Sequence, residues 1–226
     1  MFPTVTETGG NDANNFTTRQ VTIPSANEGD LLIVCVCNDG TATQTWTHDQ
    51  GFTNFVDSPT GTWRMVIKYL VVGPVLDTTI TVDTNAAEQC SWSILRIAKG
   101  TYQGIPEVTT PQILTSASPN PDPITPSWGI GDTLFMTVLS IDDPTMTYNS
   151  GPSGYTMGTF RLLNNNQAEG VRWGWKAVRA TSDDPGTHSL NVARNVQMVT
   201  MALREGVKMV AAVRAIKQAV NRAAVM

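Results

Sequence analysis

Apolar residues along this chain fall mostly at every second position, the spacing that lines one face of an extended strand. In "LLIVCVCN" (31–38) both registers are apolar, with Leu32, Val34 and Val36 alternating with Ile33, Cys35 and Cys37. A strand with no polar face belongs inside a sheet, covered on both sides. Asn38-Asp39-Gly40 follows, residues that tolerate positive φ and predict a turn. "RMVIKYLV" (64–71) sets Met65, Ile67 and Tyr69 opposite Arg64, Val66 and Lys68, and "WSILRI" (92–97) and "TMALRE" (200–205) read as half-buried strands. "VRWGWK" (171–176) puts Trp173 and Trp175 on one face. The four prolines of "SASPNPDPITPSWG" (116–129) exclude helix and predict an extended surface connection.

The pattern recurs. "GDLLIVCVCNDG" (29–40) pairs with "GDTLFMTVLSIDDP" (131–144), and "TWTHDQGFTNF" (45–55) with "TYNSGPSGYTMGTF" (147–160). "TWRMVIKYLVV" (62–72) matches "GVRWGWKAVRA" (170–180), with Arg64 and Lys68 answering Arg172 and Lys176. "DTTITVDTNAAEQCSWSILRI" (77–97) matches "PGTHSLNVARNVQMVTMALRE" (185–205), Arg96 answering Arg204. Four blocks in one order predict an internal duplication, about 25–100 and 125–205. The expected fold is all-β over residues 1–205: a two-sheet antiparallel β-sandwich built from two related halves, which either share one core or stand as two tandem sandwiches; about five or six strands in each half favour the shared core.

The last residues differ in kind. In 206–226 Met209, Val213, Ile216, Val220 and Ala223 step by heptad spacing, with Lys208, Arg214, Lys217 and Arg222 as the charges. This predicts a C-terminal α-helix too short to stand alone. It either folds back on the sandwich or packs on sister subunits or a partner protein. The narrow seam and the basic charge opposing the body favour the second, with Met209, Val213, Ile216, Val220, Lys208, Arg214, Lys217 and Arg222 as the partner-binding residues.

Charge sharpens this contrast. Residues 1–205 carry all 19 acidic side chains and 11 of the 15 basic ones, a balance of 11 − 19 = −8, and the tail carries +4. An acidic body repels nucleic-acid phosphates, so no nucleic-acid partner is expected. The start "MFPTVTETGG" has no basic, apolar leader and no apolar run reaches membrane length, so a soluble protein made inside the cell, without a membrane partner, is expected.

Candidate chemistry is thin. Cys35-x-Cys37 is spaced as two packing residues of one strand face, has no matching Cys or His set, and reads as core thiol. His48 and His188 occupy unequal places in the two halves and read as surface or turn residues. Asp142-Asp143 and Asp183-Asp184 each precede a proline and read as turns. The loops near Asp39 and Asp142–Asp143 leave room for a weak calcium site, but the Asp-x-Asp-x-Asp-Gly spacing of a dedicated loop is absent, so no metal ligand and no cofactor is expected. Trp46, Phe52, Trp63, Trp92, Trp128, Tyr155, Trp173 and Trp175 suit either a packed sheet or a sugar-stacking platform. No nucleophile or acid pair announces catalysis, and no catalytic residue is assigned.

Gly29–Leu32, Gly51–Thr53, Lys68–Leu70, Ser93–Arg96, the Pro-rich 116–129, Pro152–Thr156 and Ala202–Arg204 together resemble a group of β-rich virion proteins of tailed bacteriophages. The resemblance spans roughly residues 25–205 and implies a jelly-roll-like sandwich in a non-enzymatic virion structural protein. The first expectation is a capsid decoration (cement) protein that binds the major capsid protein or other virion proteins, as a homo-oligomer (trimer or dimer). The alternative is a tail or fibre module binding a receptor or glycan through Trp46, His48, Asp49 and Tyr148. A hydrolase of cell-wall or capsule sugars comes third.

Overall fold

A computed structural model describes residues 2–48, 50–75, 77–143, 145–163 and 169–206. The expected helix over 206–226, with all eight of its partner-binding residues, lies outside the described residues apart from Gly206. Within them the chain is all-β, every ladder is antiparallel, and there is no helix.

The first half supplies β1 (Val5–Thr22), β2 (Leu31–Asp39), β3 (Gln44–Thr47), β4 (Thr53–Pro59), β5 (Trp63–Val71) and β6 (Thr79–Ile97). They form one sheet in the order β1-β6-β2-β5-β4, with β3 on β6. The second half supplies β7 (Tyr102–Val108), β8 (Gln112–Ser116), β9 (Gly131–Asp142), β10 (Tyr148–Ser150), β11 (Thr156–Met157), β12 (Arg161–Leu162), β13 (Glu169–Ala180), β14 (Ser189–Leu190) and β15 (Arg194–Glu205). Its sheet runs β11-β13-β9-β15-β7, with β12 on β13 and β8 on β15, while β10 and β14 pair separately. The central order is the same in both: β6-β2-β5 corresponds to β15-β9-β13.

One core lies between these sheets. Leu31, Ile33, Cys35 and Cys37 of β2, Met65 and Ile67 of β5, and Leu95 and Ile97 of β6 meet Leu134, Met136 and Val138 of β9. Val56 of β4, Val171 and Trp173 of β13 and Val199, Met201 and Leu203 of β15 complete it. Hydrogen bonds cross the layer both ways: Trp63 Nε1 donates to Ser140 Oγ at 3.3 Å, and Trp173 Nε1 to the Ser93 carbonyl at 3.4 Å. A buried indole N–H left unmatched costs about 1–3 kcal/mol, so these bonds hold each ring in one orientation.

The outer faces are covered too. Register shifts between Asp12, Phe16 and Thr18 divide the β1–β6 ladder. Such irregularities bend a strand. Beyond them Val21, Ile80 and Val82 pack on Leu32, Val34 and Val36 of the first sheet's outer face. This is why β2 is apolar in both registers. On the second sheet, Leu190 and Met146 cover Leu139 and Ile141. The Pro-rich segment is more than a surface connection. Ile124 packs on Phe135 and Ala202, and the segment is tied down by Ile124–Asp183 amide bonds and by the Thr200 hydroxyl donating to the Asp122 carbonyl at 2.6 Å.

Strand pairing sets the two sheets one residue out of step with the expected repeat. Cys35 lies opposite Ile67, and Met136 lies opposite Trp175. Cys37 likewise faces Met65 where Val138 faces Trp173. With β5 and β13 aligned on Arg64 and Arg172, Cys35 and Cys37 therefore correspond to Met136 and Val138. The Gly29-Asp30 and Gly131-Asp132 match is out of step with the strands it introduces, because a one-residue slip would turn every side chain to the other face.

Candidate functional site

The residues singled out for ligand contact do not meet. Trp46 packs on the outer face of the first sheet, edge-on to Phe52 at 5.8 Å, with its Nε1 donating to Gln44 and Lys68 Nζ 4.8 Å from its ring centre. His48 stacks edge-on to the same Phe52 at 5.3 Å. Tyr148 belongs to the outer layer of the second sheet, across the whole sandwich. Asp49 lies outside the described residues. The wider aromatic set is divided in the same way. Trp63, Trp173 and Trp175 serve the inner core, Trp92 joins Trp46 and Phe52, and Trp128 and Tyr155 lie with the Pro-rich segment. A shared stacking platform is excluded for these eight.

His188 is not a surface residue. It is fully buried, with Tyr148 Oη 2.6 Å from Nδ1 and Thr137 Oγ1 3.4 Å from Nε2. Burial, with the Arg172 charge adding to it, pushes its pKa down to about 3, so the ring is neutral. Arg172 itself lies 4.2 Å from the Tyr148 ring centre. Asp183, read as a turn residue, is buried, ion-paired with Lys176, and accepts from the Tyr155 hydroxyl. All three cysteines are free and buried. Burial first, then the neighbouring Cys35, raises the Cys37 thiol well above its ordinary value, so it stays protonated and unreactive.

The inner core changes character at one end. Counting by twos along β2 gives Cys35, Cys37 and Asp39; along β9, Val138, Ser140 and Asp142; back along β13, Trp173, Val171 and Glu169. Glu169 pairs with Asp142, and Asp39 with Trp63. Side chains two apart share a face, so the three carboxylates form the layer beyond Ser140. One oxygen from each of Asp39, Asp142 and Glu169 lies within 4.8 Å of the others, the one such cluster of three ligating groups among the described residues.

Glu169 is fully buried, and no other residue donates to either of its carboxylate oxygens. Burial is the main force raising its pKa to about 8; its own amide opposes the rise, and Asp39, Asp142 and Glu88 add to it. Burial also raises Asp142, against a hydrogen bond from Thr62, and Asp39, against the Gly40 amide. The Ser91 hydroxyl, from the first sheet, donates to the Glu169 carbonyl at 2.7 Å and fixes the backbone there. Chemically the layer offers only oxygen donors, suited to a shared proton or a hard cation. Glu169 was missed by motif reading because "NNNQAEG" looks like loop; stepping back by twos from Trp173 would have placed it inside.

No family model, no curated protein and no solved structure matches this chain.

Proposed function

We propose that the protein is a non-enzymatic structural component of a bacteriophage particle: a jelly-roll-like capsid decoration protein that binds the shell and raises the cost of pulling its subunits apart. The observation that carries this reading is the open edge of the second sheet. Among the described residues, strands β7 and β8 pair with β15 on one side and with no strand on the other. Each carries a large apolar side chain turned out to solvent, Ile105 and Ile113, both 52 % exposed. A long open edge bearing isoleucines invites pairing with another chain unless a partner covers it. The sequence resemblance over residues 25–205 supplies the kind of partner, the major capsid protein, and the basic 206–226 segment supplies a second contact.

The test is co-sedimentation of purified protein with particles lacking it. Wild type should sediment in hundreds of copies per particle. The pair Ile105→Asp and Ile113→Asp, or removal of 207–226, should abolish binding while leaving the circular dichroism of a β protein. Undiminished decoration by both variants would refute the assignment.

A second reading, glycan binding by a tail module, finds support in a shallow depression of about 260 Å³ lined by Thr8, Gly9, Thr22, Ile23, Pro24 and Trp92. An aromatic ring beside hydroxyls is the chemistry of sugar stacking. Binding on a glycan array that is lost in Trp92→Ala would favour it over decoration.

A further inference from the structure

We propose that Asp39, Asp142 and Glu169 bind one divalent cation of the hard, oxygen-seeking class, Ca²⁺, which ties the first sheet to the second at this end of the sandwich. Two independent observations carry the assignment. The first is convergence: three carboxylates reach one point from three strands, Asp39 from the first sheet and Asp142 and Glu169 from the second, with ligand oxygens within 4.8 Å of one another. The second is the state of Glu169, whose carboxylate is fully buried, aimed into that point, and met by no donor from another residue. An ionised carboxylate left so is strongly disfavoured, and proteins place a proton, a cation or a donor there.

This chain supplies such partners elsewhere. Asp30 has Arg96, Asp183 has Lys176 and Asp143 has Arg194. No ion pair among the described residues reaches Asp39, Asp142 or Glu169. A proton or a cation from solution must supply the missing positive charge, and the convergence of three carboxylates from three strands on one point favours the cation.

The donors decide the class. His48 and His188 belong to the outer layers, so the set contains no nitrogen, which disfavours zinc and copper. Calcium takes roughly 6–8 oxygens at about 2.3–2.6 Å in irregular geometry, and two ligands across such an ion stand about 4.8 Å apart; magnesium requires a tighter octahedron. Asp39 and Asp142 are only half-buried, so water can complete the shell from outside.

The probe is CaCl₂ titrated into chelator-stripped full-length protein by calorimetry, with Tb³⁺ luminescence excited through tryptophan as the site-specific readout, since Trp63 is the strand partner of Asp39. One Ca²⁺ per chain is expected, with Kd on the order of 10⁻⁴ M, so that 10 mM Ca²⁺ shifts the folding equilibrium roughly 100-fold. Glu169→Gln and Asp39→Asn should each weaken Ca²⁺ binding at least about tenfold and abolish the Tb³⁺ signal. If Glu169→Gln fails to fold, Asp39→Asn, at the half-exposed end of its strand, decides alone. No heat and no change in Tm at 10 mM Ca²⁺ would overturn the proposal and leave the acids holding protons. Binding that persists in the folded variants, or that prefers Mg²⁺, would overturn it equally.

Discussion

Replacing Asp30 by Asn removes one charge from the start of β2 and keeps the shape. In the wild type, Asp30 is buried; one oxygen accepts from the Asn27 amide at 2.8 Å and from Arg96 Nε at 2.7 Å, and the other accepts from the Lys99 amide at 2.8 Å. Burial alone would raise its pKa, but the two amides and the guanidinium outweigh it and hold the carboxyl below the ordinary carboxylate value. Asparagine retains one acceptor oxygen, so its NH₂ must face either the Lys99 amide or the Asn27–Arg96 pair. With the NH₂ turned to the Lys99 amide, the orientation that sacrifices fewest bonds, the loss is one hydrogen bond, one stranded buried donor, and the charge that strengthened the remaining bonds, together about 3 kcal/mol. Arg96→Met should cost less, about 1–2 kcal/mol, because that side chain is 25 % exposed and partly solvated. Urea unfolding followed by tryptophan fluorescence at pH 7 measures both, and the double variant gives the coupling. The sign with pH is fixed. A lowered folded pKa means stabilisation complete above the unfolded value of 3.8 and lost as pH falls through the folded one, so wild type and Asp30→Asn converge in strong acid. A cost below about 0.5 kcal/mol at pH 7, the range of an ordinary surface change, would refute the reasoning.

Other outcomes follow from the same structure. His188, with a folded pKa of about 3 against 6.5 unfolded, should make stability complete above pH 6.5 and decline towards pH 3 by up to about 4 kcal/mol. Tyr148 and Arg172 are the groups facing it, and His188→Gln should flatten that part of the pH profile. The thiols of Cys35, Cys37 and Cys90 should resist a thiol reagent in the native protein and all react in denaturant. Rapid native labelling, or zinc retained on Cys35 and Cys37, would contradict their role as filling.

What could be read from the chain was whatever alternates. β2, β5 and β13 announced themselves because burial of a sheet face imposes a period of two, and Trp173 with Trp175 fell on one face as expected. The motif pieces Gly29-Asp30 and Ser93–Arg96 turn out to meet as the Asp30–Arg96 pair. Asp132, matched to Asp30 in the expected repeat, instead lies 3.5 Å from the largely exposed Arg179. Three things were illegible for physical reasons. His188 looked exposed because its cover, Tyr148, comes from a strand 40 positions earlier. The Pro-rich segment looked like a tether because its anchors, Asp183 and Thr200, lie far along the chain. Glu169 gave no signal in the sequence because its neighbours in space, Asp39 and Asp142, share no local spacing with it.

That each half of the polypeptide builds one entire sheet has a further consequence. Cut between β6 and β7, neither piece could bury the inner row of Leu31, Ile33, Met65 and Ile67 or of Leu134, Met136, Val199 and Met201 without the other. The connection near Gly100 therefore acts as a leash: it replaces a bimolecular encounter with a local concentration on the order of millimolar. Folding of this protein is in effect the docking of two obligate mates that happen to share one peptide chain.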